Sequence, residues 1–99
     1  MTPEQQRPEA YRAQRQRALV LEDLFLEAGW TISESVHELP NLELTDSNFV
    51  FTARRSRHIA WIFVHSNGKI STIPRSNIEA QQAKADKVIR AAGLGEYLR

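Results

Sequence analysis

Apolar residues recur at helical spacing through the first third of the chain. Ala18, Leu21, Phe25 and Ala28 fall at i, i+3, i+7 and i+10, with Leu24 alongside, and form one stripe of a helix reaching from Pro8 to Ala28. Gly29 supplies the left-handed stop. Pro3 and Pro8 suit first helical turns, and Thr2 with Gln5 is spaced as a capping box. Tyr11 is the single large apolar group in the first two turns beyond Pro8, so those turns are expected to project from the domain or fray. After the stop, Trp30, Ile32 and Val36 alternate imperfectly with Thr31, Ser33 and Ser35, which predicts a strand, with Trp30 plugging the end of the core. Residues 37–48, with Pro40 and a Thr-Asp-Ser cluster, read as a loop. Phe49–Thr52 resumes a strand, and Ala53–Arg57 becomes the tip of a hairpin leading into His58–His65. That last strand, HIAWIFVH, is the most apolar segment and belongs at the sheet centre. Trp61 shares a face with Ile59 and Phe63, and core packing is its expected role.

Asn67-Gly68 between two apolar runs predicts a two-residue type I′ hairpin. That turn would set His65 opposite Ile70, Phe63 opposite Thr72 and Ile62 opposite Ile73, with Pro74 ending the ladder. Ser76-Asn77-Ile78-Glu79 reads as a capping box opening a second helix, whose Ile78, Ala85, Val88, Ile89 and Ala92 form a stripe interrupted by Gln81 and Gln82. Gly93 and Gly95 stop it, leaving Leu94, Tyr97 and Leu98 to pack back. The predicted architecture is α+β. A three- or four-stranded antiparallel sheet packs on an N-terminal and a C-terminal helix, in the order α-β-β-β-α. Residues 1–17 form a Gln/Arg-rich arm or helix extension, and 18–99 a single domain.

Charge adds a second pattern. From Glu22 to Asp46 the chain carries Glu22, Asp23, Glu27, Glu34, Glu38, Glu43 and Asp46 with no Lys or Arg; from Ser47 to Ile78 it carries Arg54, Arg55, Arg57, Lys69 and Arg75 with no Asp or Glu. The net charge is only +1, so any attraction for a polyanion must be local. The alternative is that the two blocks neutralise each other in the fold. With no Cys, thiolate chemistry, disulfides and cysteine metal sites are excluded. No spacing of carboxylates and histidines matches a calcium loop or another metal motif, and no P-loop or dinucleotide fingerprint occurs, so neither metal nor cofactor is expected. The first thirty residues lack the apolar core and cleavage site of a signal peptide, and no apolar run is long enough to span a bilayer; a soluble cytoplasmic protein is the expectation.

Three guanidiniums at Arg54, Arg55 and Arg57 can fork onto phosphates, reinforced by Lys69 and Arg75 if the sheet gathers them. A solvated turn, or one paired with the acidic 34–46 segment, is the competing reading. His58 and His65 lie on one strand but on opposite faces. His58, next to Arg57, is the candidate catalytic base, and His37 reads as bystander surface. Trp61 would offer a stacking platform for a base if it were exposed. Glu34, Glu38, Glu43 and Asp46 could instead dock on a basic protein. Arg7, Arg12, Arg15 and Arg17 of the arm could lie along a phosphate backbone, or the helix could pair with its twin in a homodimer.

Several segments carry a resemblance. The element order looks like the double-stranded-RNA-binding-domain fold. Within that fold, Leu24-Phe25-Leu26-Glu27-Ala28-Gly29-Trp30, then His65-Ser66-Asn67-Gly68-Lys69 running to Pro74, then Val88-Ile89-Arg90-Ala91-Ala92-Gly93-Leu94 resemble the HicA family of small bacterial toxins. Members share a Gly-Ser-His segment whose histidine is the proposed RNase residue, and Ser56-Arg57-His58 is the nearest equivalent here. The resemblance implies an RNA-directed toxin of a toxin–antitoxin pair, with His58 at its centre. The function expected from sequence is binding of an RNA or DNA backbone through Arg54, Arg55, Arg57, Lys69 and Arg75, with an RNase activity of His58 as its extension. The alternative is a non-enzymatic interaction or inhibitor protein of phage or plasmid type, docking through Glu34, Glu38, Glu43 and Asp46.

Overall fold

Helix α1 (Glu9–Glu27) holds together because one stripe is wholly apolar: Ala18, Leu21 and Phe25 are fully buried. The computed structural model describes residues 9–39, 47–75 and 79–98. After α1 come strands β1 (Thr31–Glu38), β2 (Ser47–Arg55), β3 (His58–His65) and β4 (Ile70–Pro74), helix α2 (Glu79–Ala91) and a short 3-10 turn at Gly95–Tyr97. The strands form one antiparallel sheet in the order β1-β2-β3-β4. The protein is therefore α+β, with both helices packed on one face of a four-stranded sheet.

Both helices stop on glycine in the left-handed region. Trp30 N–H bonds Phe25 C=O and Gly29 N–H bonds Leu26 C=O; the same pattern recurs as Leu94 to Ile89 and Gly93 to Arg90. With φ of +92° at Gly29 and +79° at Gly93, these are two Schellman motifs. The first turns the chain so that Trp30, 2% exposed, meets the edge of Phe25 at 5.3 Å between ring centroids, and Phe25 meets Phe51 at 5.7 Å. Trp30 plugs the core as its position after the helix stop implies. Phe49, Phe51 and Ala53 of β2, Ala60, Ile62 and Val64 of β3 and Ile70 of β4 line the same core, closed by Ala85 and Ile89 of α2. Each large side chain here contributes about 1.5–3 kcal/mol through burial. Leu94, Tyr97 and Leu98 pack back, and Leu98 bridges Ile70. Ala92 is exposed rather than part of the α2 stripe, because the helix has already ended.

The Asn67-Gly68 hairpin departs from the expected register by one residue. Val64 faces Ile70, Phe63 faces Ser71, Ile62 faces Thr72 and Trp61 faces Ile73. Positive φ occurs at Gly68 (+87°) but not at Asn67, and Gly68 N–H bonds His65 C=O while His65 N–H bonds Lys69 C=O. This is a three-residue loop, a type I turn followed by a glycine bulge, instead of a type I′ turn. Three contacts hold it: Lys69 N–H donates to Asn67 Oδ1 at 2.9 Å, Arg17 Nη1 donates to Gly68 C=O, and Gln14 Nε2 donates to Ser66 C=O at 3.4 Å. The Arg17 guanidinium also stacks on the Tyr97 ring at 4.0 Å. Residues of the supposed arm thus clamp the far hairpin, and α1 is continuous through them.

The slip decides which residues of β4 the helices cover, since a one-residue shift exchanges the two faces of a strand. Ile70, Thr72 and Pro74 point to the core, and Ile73 is 47% exposed on the opposite face. Trp61, with Ile59 and Phe63, also lies on the face away from the helices and is half-buried there, so its expected core role is corrected. The β2–β3 tip is narrower than expected. Arg54 and Arg55 lie within β2, Arg55 pairs with His58, and only Ser56-Arg57 form the turn, with Ser56 at a φ of +56°. The predicted 37–48 loop is narrower too, since Glu38 ends β1 and Ser47 begins β2. The expected capping boxes at Thr2 and Ser76 lie outside the described residues.

Candidate nucleic-acid interface

Antiparallel topology sends the two turns flanking β3 to opposite ends of the sheet. At one end stand Arg54, Arg55, Arg57 and also Arg75, whose N–H bonds Ile59 C=O at 2.9 Å just past β4. Lys69 lies at the other end, about 23 Å away along the eight residues of β3. Its expected place in the cationic cluster is corrected. Two lysines that sequence reading overlooked replace it. Lys84 and Lys87 of α2 flank the buried Ala85 and line a cleft of about 540 Å³ with Arg55, Ser56 and His58, floored by the apolar Ala28, Val88 and Ala91. A helical i, i+3 pair bordering an apolar stripe is a snorkelling position, where aliphatic stems cover apolar surface and ammonium groups reach the rim. That spacing was the available signal.

In the cleft, Lys84 Nζ sits 2.9 Å from His58 Nε2. An ammonium has donors only, so Nε2 accepts and the ring proton of neutral His58 resides on Nδ1. That Nδ1 is buried with no hydrogen-bond partner. One ring nitrogen is thus occupied and the other is enclosed. His58 lines the cationic cleft, with neither nitrogen presented to solvent as a free base.

The remaining cations divide between the two sheet faces. Arg55 and His58 lie on the helix side, while Arg54 lies on the open side with Nε donating to Ser56 C=O at 3.1 Å. Arg57 occupies the exposed tip. Among the described residues no carboxylate pairs with Arg54, Arg55, Arg57, Arg75, Lys84 or Lys87; Glu34 instead meets His37 at 3.7 Å. On α1, Glu22 is engaged by Val36 N–H at 3.0 Å.

The other candidate residues do not line this cleft. His65 is 6% exposed and its Nε2 lies 2.6 Å from Ser71 Oγ, on the face opposite His58, as strand alternation requires. Glu34 and Glu38 are exposed on edge strand β1. Glu43, Asp46 and Arg7 lie outside the described residues. Arg12 and Arg15 are exposed on α1, whereas Arg17 is held by the Gly68 turn and Tyr97. No helix among the described residues is long and apolar enough to cross a membrane. The chain matches no protein-family model, no curated protein and no solved structure.

Proposed function

We propose that this protein binds the phosphate backbone of nucleic acid through the end of the sheet where the β2–β3 turn meets α2. The observation that carries this reading is that Arg55, Lys84 and Lys87 share a cleft at the end of the sheet where Arg54, Arg57 and Arg75 also stand, without a carboxylate partner for any of them among the described residues. Six cations at one end of the sheet, none of them ion-paired among the described residues, focus a field that a near-neutral chain otherwise lacks. Arg55 offers a planar fork for two phosphate oxygens, and the lysines supply point charges on the cleft rim. His58 enters this reading as part of the anion site, because Lys84 holds its Nε2. An RNase step would require that contact to open first.

The direct test is binding of a labelled RNA hairpin and a DNA duplex of equal length at two salt concentrations. Binding that weakens steeply with salt and is lost in the Arg54→Ala/Arg55→Ala/Arg57→Ala variant supports the reading. Absence of binding at low salt sinks it, and attention then passes to a basic protein partner for Glu34 and Glu38.

A further inference from the structure

The sheet face turned away from the helices is laid out in rows that the strand registers define. Thr31, Arg54, Ile59 and Arg75 make the first row across β1 to β4; Glu34, Thr52, Trp61 and Ile73 make the second; His37, Val50, Phe63 and Ser71 make the third. No helix or strand among the described residues packs on this face. Around the buried Val50 and Thr52 it carries two half-buried aromatic rings on central strand β3 and an isoleucine that is 47% exposed. Trp61 and Phe63 are two residues apart on one side of a strand, about 6.6 Å, which leaves room for one base on each. The adjacent row carries Arg54 and Arg75, which joins this face to the cationic end.

We infer that the open sheet face is a stacking platform for single-stranded nucleic acid, its bases lying on Trp61 and Phe63 and its phosphates on Arg54 and Arg75. The inference rests on the backbone-binding reading and narrows it to a strand class. Charge complementarity selects this occupant. A purely apolar partner would leave two arginines of the face desolvated and unpaired, whereas a single strand offers a π-face for each ring and an anion for each guanidinium. Glu34 repels phosphate from the β1 side, where it is engaged with His37, so the backbone tracks along the β4 side past Arg75. A duplex cannot do this, because its bases are already stacked and its rings are unavailable.

The test is a fluorescence titration of the full chain with a single-stranded oligodeoxycytidylate and with a DNA duplex of the same length. Trp30 is 2% exposed, so a change in emission on binding reports Trp61. The expected result is quenching by the single strand, tighter binding of it than of duplex, and a loss of about 5- to 150-fold in single-strand affinity for Trp61→Leu. Retained duplex binding by Trp61→Leu establishes that the variant is folded. Equal affinity for both forms, with no quenching and no effect of Trp61→Leu, overturns the platform while leaving backbone binding intact. Binding of neither form by the parent protein overturns both readings. Concentration-dependent self-association that shields Trp61 also overturns the platform, by assigning the face to a second copy of the chain.

Discussion

The Lys84 ammonium lies 2.9 Å from Nε2 of His58, joining α2 to the start of β3 across the rim of the cationic cleft. The contact assigns the histidine tautomer, since a lysine can only donate. At a pH where His58 is neutral, ring nitrogen NMR shifts should therefore report a proton on Nδ1. In Lys84→Met the constraint is gone and the proton is expected to move largely to Nε2, the nitrogen nearer solvent. Unchanged shifts in that variant would show that the ring is held by something else.

Arg17 is predicted to act on stability and not on binding. Its guanidinium both donates to Gly68 C=O and stacks on Tyr97. Arg17→Ala should cost about 1–3 kcal/mol in urea unfolding, and Arg17→Lys should recover only part of this because the planar stack is lost. Salt-dependent nucleic-acid affinity should be the same in all three proteins.

The two hairpin turns respond oppositely to substitution. Ser56 occupies a φ of +56°, where a Cβ is disfavoured, so Ser56→Gly should stabilise the fold by up to about 1 kcal/mol. Gly68 has a φ of +87°, and a Cβ there would lie 2.9 Å from Arg17 Nη1. Gly68→Ala should therefore lose about 1–2 kcal/mol from backbone strain, plus part of the Arg17 clamp. Denaturation midpoints of the two variants check both signs.

Thr72 is 3% exposed, and its hydroxyl donates to Asp86 Oδ1 while its carbonyl accepts from Gln82 Nε2 at 3.1 Å. This pair docks α2 on edge strand β4. Thr72→Val keeps the shape but leaves the half-buried carboxylate without its donor, at a cost of about 1.5–3 kcal/mol; Thr72→Ser should cost less. Thermal unfolding of the two variants gives the comparison.

The helices, their glycine stops and the core role of Trp30 were legible from spacing alone, because each depends on neighbours within a turn. The faces of β3 were not. Ala60, Ile62 and Val64 alternate with Ile59, Trp61 and Phe63, so both rows are apolar and periodicity cannot say which one the helices cover. The 66–69 turn then sets which residues of β4 share the covered face, and Gln14 and Arg17 reach that turn from more than fifty residues away. Local turn chemistry favoured Asn67-Gly68 as type I′, and those distant contacts accompany a different turn. Of the expected cationic set, four arginines gathered at one end, and Lys69 did not because it lies in the turn at the far end of β3. Lys84 and Lys87 joined through the packing of α2, which no single segment encodes.

The measurement closest to the central claim is the dependence of nucleic-acid affinity on salt in the parent, in Arg55→Ala/Lys84→Ala and in Lys69→Ala. Each phosphate contact contributes about 0.9 to the slope of log K against log salt on duplex DNA. The cationic end predicts a slope shallower by about 2 in the double variant and unchanged in Lys69→Ala. Equal slopes in all three, or a loss confined to Lys69→Ala, would contradict it.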